Sequence, residues 1–92
     1  MKHIVRTYSA GVFYGEIVER NGKEVMMKDA IRLWYWKGAA SLSQLAMEGV
    51  KCPSECKFAM PVDSVLLTET IEILDTTEAA QKSIEGVKPW KM

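Results

Sequence analysis

From its N-terminus the chain alternates short runs of β-branched and aromatic residues with small turn residues, a pattern that predicts strands before helices. His3-Ile4-Val5-Arg6-Thr7-Tyr8 reads as a first strand, broken by Ser9-Ala10-Gly11. Val12 to Glu19 reads as a second, and Asn21-Gly22 behind it is a strong hairpin signal. A two-residue Asn-Gly loop would set Arg20 opposite Lys23 and Glu19 opposite Glu24, two repelling pairs. A three-residue loop, with a type I turn at Arg20-Asn21 and a left-handed Gly22, pairs Glu19 with Lys23 and Ile17 with Val25. That is the expected register.

Lys23 to Asp29 is predicted as the third strand and Ile31 to Trp36 as the fourth. Alternation puts Leu33 and Tyr35 on one face of the fourth strand, and Arg32, Trp34 and Trp36 on the other. Lys37-Gly38-Ala39-Ala40 ends it. Ser41-Leu42-Ser43-Gln44 is a capping box, opening a helix of about two turns with Leu42, Leu45 and Ala46 on its buried stripe and Gly49 as its stop. Lys51 to Glu55 is a loop, and Lys57 to Met60 extends briefly before Pro61. Ser64 to Leu74 reads as the longest strand, with Val65, Leu67, Ile71 and Ile73 on one face. Asp75-Thr76-Thr77 supplies N-caps for a helix over Glu78 to Glu85 that ends at Gly86. The tail is extended by Pro89 and pinned by Trp90. These elements predict an α+β fold, a twisted and mainly antiparallel sheet of about five strands with two short helices, in one domain over residues 1–92.

Composition narrows the partners. Hydrophobic residues at 48% and charged residues at 26% are ordinary globular values. Twelve basic residues balance twelve acidic ones. A nucleic-acid polymer binder draws most of its affinity from a basic excess, so DNA and RNA are disfavoured as partners while a small anion is not. Zero net charge also removes the repulsion that keeps copies apart, which favours a homo-oligomer. Met1 to Arg6 lacks the apolar run of a signal peptide, and no stretch approaches the ~20 apolar residues that cross a bilayer. Two cysteines make no disulfide framework. The expected compartment is the cytoplasm, with no membrane association.

Catalytic chemistry is not expected. The single histidine, His3, has no partner that the sequence places beside it. Glu16, Glu19, Glu69 and Glu72 alternate at strand spacing and read as solvated faces. Cys52 and Cys56 form a C-x3-C pair, but a structural zinc site needs four ligands and only His3 is left to join them. A half-site completed across a dimer is one reading, and a loop cysteine beside a buried one is the plainer. Neither a metal nor a cofactor is expected.

The segment from Arg32 to Ser43 carries the candidate site. Trp34 and Trp36 offer flat stacking surfaces, Arg32 and Lys37 offer cations, and Gly38 allows close approach to backbone before the helix start at Ser41 and Ser43. With Arg6 and Tyr8 from the first strand they form the candidate ligand-binding set, suited to a small nucleotide. The competing reading is structural: the tryptophans pack a core or a subunit interface, Gly38 makes a tight turn, and Ser41 only caps its helix.

Arg6-Thr7-Tyr8-Ser9-Ala10-Gly11-Val12, Leu33-Trp34-Tyr35-Trp36-Lys37-Gly38-Ala39-Ala40-Ser41-Leu42 and Thr70-Ile71-Glu72-Ile73 resemble a family of small phage and prophage proteins of unknown function. The similarity runs through nearly the whole chain to Pro89-Trp90-Lys91. It brings no established catalytic residues. What it implies is a context, in which small neutral phage proteins that oligomerise include inhibitors of host defence. Some of those enclose cyclic nucleotide or ADP-ribose-type immune signals without cleaving them. The expectation is then a homo-oligomeric sponge in the host cytoplasm, with Trp34 or Trp36 on a base. Arg32, Lys37 or Arg6 would meet phosphate, and Ser41 or Ser43 would add hydrogen bonds. The alternatives are a protein-binding inhibitor that uses the same tryptophans, and a structural accessory protein.

Overall fold

Ile4 and Val5 are neighbours in one strand and both are fully buried, which requires that both faces of the sheet be covered. The computed structural model describes residues 1–92 and shows how. Its elements run β1 (Lys2–Thr7), β2 (Val12–Asn21), β3 (Glu24–Tyr35), α1 (Leu42–Glu48), β4 (Lys57–Phe58), β5 (Val62–Leu67), β6 (Thr70–Asp75) and α2 (Glu78–Glu85). A single 3-10 turn, Pro53–Glu55, precedes β4. The fold is α+β, with six strands rather than about five, and every strand pair is antiparallel. No helix is long and apolar enough to cross a membrane.

The sheet order is β4-β3-β2-β1-β6, and β5 pairs with β3 as well. β4 and β5 therefore share one edge of β3 end to end, β4 along Leu33–Tyr35 and β5 along Val25–Ala30. β5 and β6 stand at opposite edges, yet only Thr68 and Glu69 separate them in sequence. The sheet must curl until those edges nearly meet. Backbone bonds fasten the corner, from Tyr8 N to Glu69 O at 2.9 Å and from Thr70 N to Lys23 O at 3.1 Å.

Curling gives two cores. On one face Ile4, Tyr14, Leu33 and Phe58 pack with Leu45 and Ala46 of α1 and Ile84 of α2. Inside the curl Val5, Phe13, Val25, Met27, Ala30 and Leu67 pack on one another. Full burial of each large side chain contributes roughly 1.5–3 kcal/mol, so both faces matter to stability.

Three strand expectations are corrected. The third and fourth strands are one, because Asp29 adopts a left-handed backbone (φ 52°) and forms a bulge with Ala30 opposite Gly15. A Cβ at Gly15 would lie 3.0 Å from Lys28 O, so the glycine is what lets the bulge close. The hairpin register is also neither of the two that the turn sequence predicts. Asn21 faces Glu24, Arg20 faces Val25, and Glu19 faces Met26, with Val18 bulged out before Ile17 meets Met27. This register keeps Val25 and Met27 fully buried, and the burial of that face outweighs any surface ion pair. Finally, Ser64 to Leu74 is not one strand, since the Thr68-Glu69 corner divides it into β5 and β6. Val65, Leu67 and Ile73 do share the inner core, whereas Ile71 falls at a bulge against β1 and is exposed.

The helix signals are local and the structure follows them. Ser41 Oγ accepts from Gln44 N at 3.1 Å, and Gln44 Oε1 reaches back to accept from Ala40 N at 2.7 Å, one residue earlier than a strict capping box. Thr77 Oγ1 caps α2 by accepting from Ala80 N at 3.0 Å. In the tail, Trp90 N donates to Phe58 O at 2.8 Å and Lys57 lies over the Trp90 ring, which closes the outer edge of β4.

Candidate functional site

β3 pairs with β2 up to Arg32, opposite Phe13, and then runs on past the start of β2. Its overhanging end faces the β1–β2 loop. That loop is shaped by Thr7, whose Oγ1 donates to Gly11 O at 2.7 Å and accepts from Ala10 N at 3.0 Å, and by Gly11 at φ +96°. Between loop and overhang lies a notch of about 340 Å3. Ser9, Ala10, Gly11 and Val12 form one wall; Arg32, Leu33, Trp34 and Trp36 form the other.

A bulge re-aims the aromatic residues. β4 pairs Phe58 with Leu33 and Lys57 with Tyr35, which leaves Trp34 as the extra residue. The alternation expected for this strand is therefore broken and must be corrected. Trp36 is half-buried and packs on the cluster that contains Leu33, while Trp34 is 67% exposed and Tyr35 48% exposed. An extra residue shifts everything after it to the opposite face.

Three of the nine sequence candidates, Arg32, Trp34 and Trp36, line the notch together. The other six lie elsewhere or have other partners. Arg6 Nε donates to Glu72 Oε1 of β6 at 2.9 Å. Tyr8 is exposed just ahead of the loop and does not line the notch. Lys37 Nζ is 3.0 Å from Glu55 Oε1, and that hydrogen bond holds the Lys37 ammonium above its ordinary pKa. Gly38 at φ +97° presses on the backbone of the next loop, where a Cβ would lie 2.7 Å from Cys52 N. Ser41 is occupied as the cap of α1, and Ser43 is exposed in its first turn. The helix start thus satisfies itself and joins no site.

Among the candidate cations Arg6, Arg32 and Lys37, Arg32 is the one without a carboxylate partner. Its guanidinium stands over the Phe13 ring at 4.8 Å and forms no ion pair, whereas Lys2, Arg6 and Lys37 each hold a carboxylate. An Arg with no carboxylate beside it, backed by a ring and flanked by tryptophan, is chemically ready for a planar anion.

Other chemistry-bearing residues are structural by their contacts. Buried Cys56 Sγ accepts from Lys37 N at 3.5 Å and is 3.4 Å from Cys52 O, tying the C-x3-C loop to the chain after β3. No three His, Cys, Asp or Glu side chains converge as metal ligands. His3 does have a partner, Asp75 Oδ1 at 3.1 Å, which strand pairing supplies across β1 and β6. A second cluster that the sequence did not signal joins Tyr14, Glu85 and Lys2. The Tyr14 hydroxyl donates to Glu85 Oε2, and Lys2 Nζ meets the same oxygen at 2.9 Å. Burial and the Glu85 carboxylate raise the Tyr14 pKa strongly, while Tyr14 and then Lys2 hold the Glu85 carboxyl below its ordinary range.

A family model described as a domain of unknown function, DUF6948, matches residues 1–84. The chain belongs to the DUF6948 family. No curated protein and no solved structure matches it. The DUF6948 region contains both walls of the notch and Arg32, and the Trp90 tail lies beyond it.

Proposed function

We propose that this DUF6948 chain binds a small nucleotide-type anion in the notch and holds it without cleaving it. The observation that supports this reading is Arg32, a cation with no acidic partner, in the wall of a notch that also contains Trp34 and Trp36. Stacking of a base on a tryptophan is worth about 1–3 kcal/mol, and a guanidinium adds directional bonds to phosphate. The notch volume falls at the small end of ligand sites, which suits one nucleotide rather than a polymer. No general base faces the notch among its lining residues, so retention rather than turnover is the proposed outcome. In its wider form, the proposal is a homo-oligomeric phage protein that sequesters a nucleotide immune messenger, such as a cyclic nucleotide or an ADP-ribose derivative, in the host cytoplasm.

The test is thermal melting of the purified protein with a panel of cyclic nucleotides, mononucleotides and ADP-ribose, followed by recovery of the ligand. A ligand at 100 times its Kd stabilises by ~2.7 kcal/mol, which raises Tm by roughly 10–20 °C in a chain of this length. The expected result is a Tm increase with intact ligand recovered. Absence of a shift with every compound overturns the reading, and recovery of cleaved product replaces it with an enzyme. A second reading rests on Trp34 and Tyr35, adjacent and both well exposed, which suit the centre of a protein interface. Capture of one host protein by wild type but not by Trp34→Ala, with no nucleotide effect, favours that reading.

A further inference from the structure

Arg32 lines two hollows. Besides the notch, a second hollow of about 220 Å3 opens where β4 and β5 meet end to end on β3. Phe13, Ala30, Met60, Val62 and Val65 make it apolar, and Ser64 and Arg32 are its polar side chains. The Phe13 ring, 4.8 Å from the Arg32 guanidinium carbon, belongs to this second hollow. Arg32 therefore borders both hollows, one that contains Trp34 and Trp36 and one that is mainly apolar.

Resting on the reading that the notch holds a nucleotide, we infer that the ligand is a phosphodiester, with its nucleoside in the notch and an apolar ring-sized group in the second hollow. A phosphodiester at Arg32 carries two ester substituents that diverge from its tetrahedral phosphorus, and Arg32 borders two hollows that could take one each. The second hollow has too few hydrogen-bonding groups for a second base, whose polar edge would be left unsatisfied. Its volume is ample for an aromatic ring, since an apolar cavity of about 150 Å3 accepts benzene.

The experiment measures Kd for the phenyl and methyl phosphodiesters of the four common 5′-mononucleotides, alongside the free monophosphates. The two esters carry the same charge, so their difference reports only the apolar group. The phenyl ester of the preferred nucleotide is expected to bind at least about tenfold more tightly than the methyl ester. Val62→Trp, which fills the second hollow, is expected to abolish that gain and leave the methyl-ester Kd within about twofold. Ser64→Tyr is the second obstruction, used if Val62→Trp does not melt as wild type does. Equal affinity for the two esters overturns the two-lobed ligand but leaves the notch reading intact. A gain that survives both obstructions also overturns it. No binding of any monophosphate or ester overturns the two-lobed ligand, and if cyclic nucleotides and ADP-ribose also fail to bind, the notch reading falls with it.

Discussion

Arg32 and Phe13 face each other across β3 and β2, and the guanidinium carbon stands 4.8 Å from the ring centroid. An exposed cation–π contact of this kind contributes about 0.5–1 kcal/mol. Arg32→Ala should therefore cost the fold little, shifting Tm by several degrees at most. Binding of a nucleotide anion should fall at least about tenfold, because charge-assisted bonds to phosphate are lost. Arg32→Lys retains charge but not the planar fork, and should restore only part of the affinity. Titration calorimetry beside thermal melting checks this, and unchanged nucleotide affinity in Arg32→Ala rules out the guanidinium as the phosphate contact.

The two notch tryptophans should separate by assay. Trp34 is 67% exposed, so Trp34→Ala should change stability by less than about 0.5 kcal/mol while weakening nucleotide binding roughly tenfold or more. Trp36 packs on the helix-side core, so Trp36→Ala should cost about 2 kcal/mol, below the range for a fully buried tryptophan. Urea denaturation of both variants gives the comparison. Equal stability losses would mean that the bulge at Trp34 does not divide their roles.

What the sequence disclosed depends on how local each interaction is. The Ser41 and Thr77 caps and the stop at Gly86 were legible because donor and acceptor lie within four residues. The continuity of β3 was not, because Asp29 bulges against Gly15 of another strand. The break at Thr68-Glu69 was hidden for the same reason, since it is fastened by Tyr8 and Lys23 from distant turns. At the candidate site, residue types were readable but their faces were not. Pairing with β4, a strand of two residues, shifts Trp36 onto the face of Leu33. The loop Ser9–Gly11 carried a visible break signal, but only the overlap of β3 with β2 makes it a wall of the notch.

Gly38 does not line the notch, and its backbone contacts predict a defect of folding rather than of binding. At φ +97°, with the backbone of Lys51 and Cys52 inside contact distance of any Cβ, it has no room for a side chain. Gly38→Ala combines left-handed strain, of order 1–3 kcal/mol, with a backbone clash. The expected result is a loss of at least about 2 kcal/mol in urea denaturation. Wild-type stability in Gly38→Ala would show that this crossing of the Lys37 and Cys52 segments is loose.

The Tyr14–Glu85–Lys2 cluster predicts how stability varies at both ends of the pH scale. Glu85 is held below its ordinary value of 4.5 by the Tyr14 hydroxyl and then by Lys2. Its folded carboxyl binds fewer protons than the unfolded one, so its contribution is complete above that value and is lost as pH falls through the folded pKa. Tyr14 moves the other way, raised above its ordinary 10.0 by burial and by Glu85. Its contribution is complete below 10.0 and is lost as pH rises, because the unfolded phenol ionises first. Glu85→Gln should therefore flatten the acid limb, with a modest effect because the Glu85 side chain is 43% exposed and partly screened. Tyr14→Phe should flatten the alkaline limb and also weaken the acid one, since it removes the main cause of the Glu85 shift. Urea midpoints between about pH 3 and 6, and between about pH 9 and 11, resolve the two limbs. If Tyr14→Phe leaves the alkaline limb as steep as in wild type, some other group controls it.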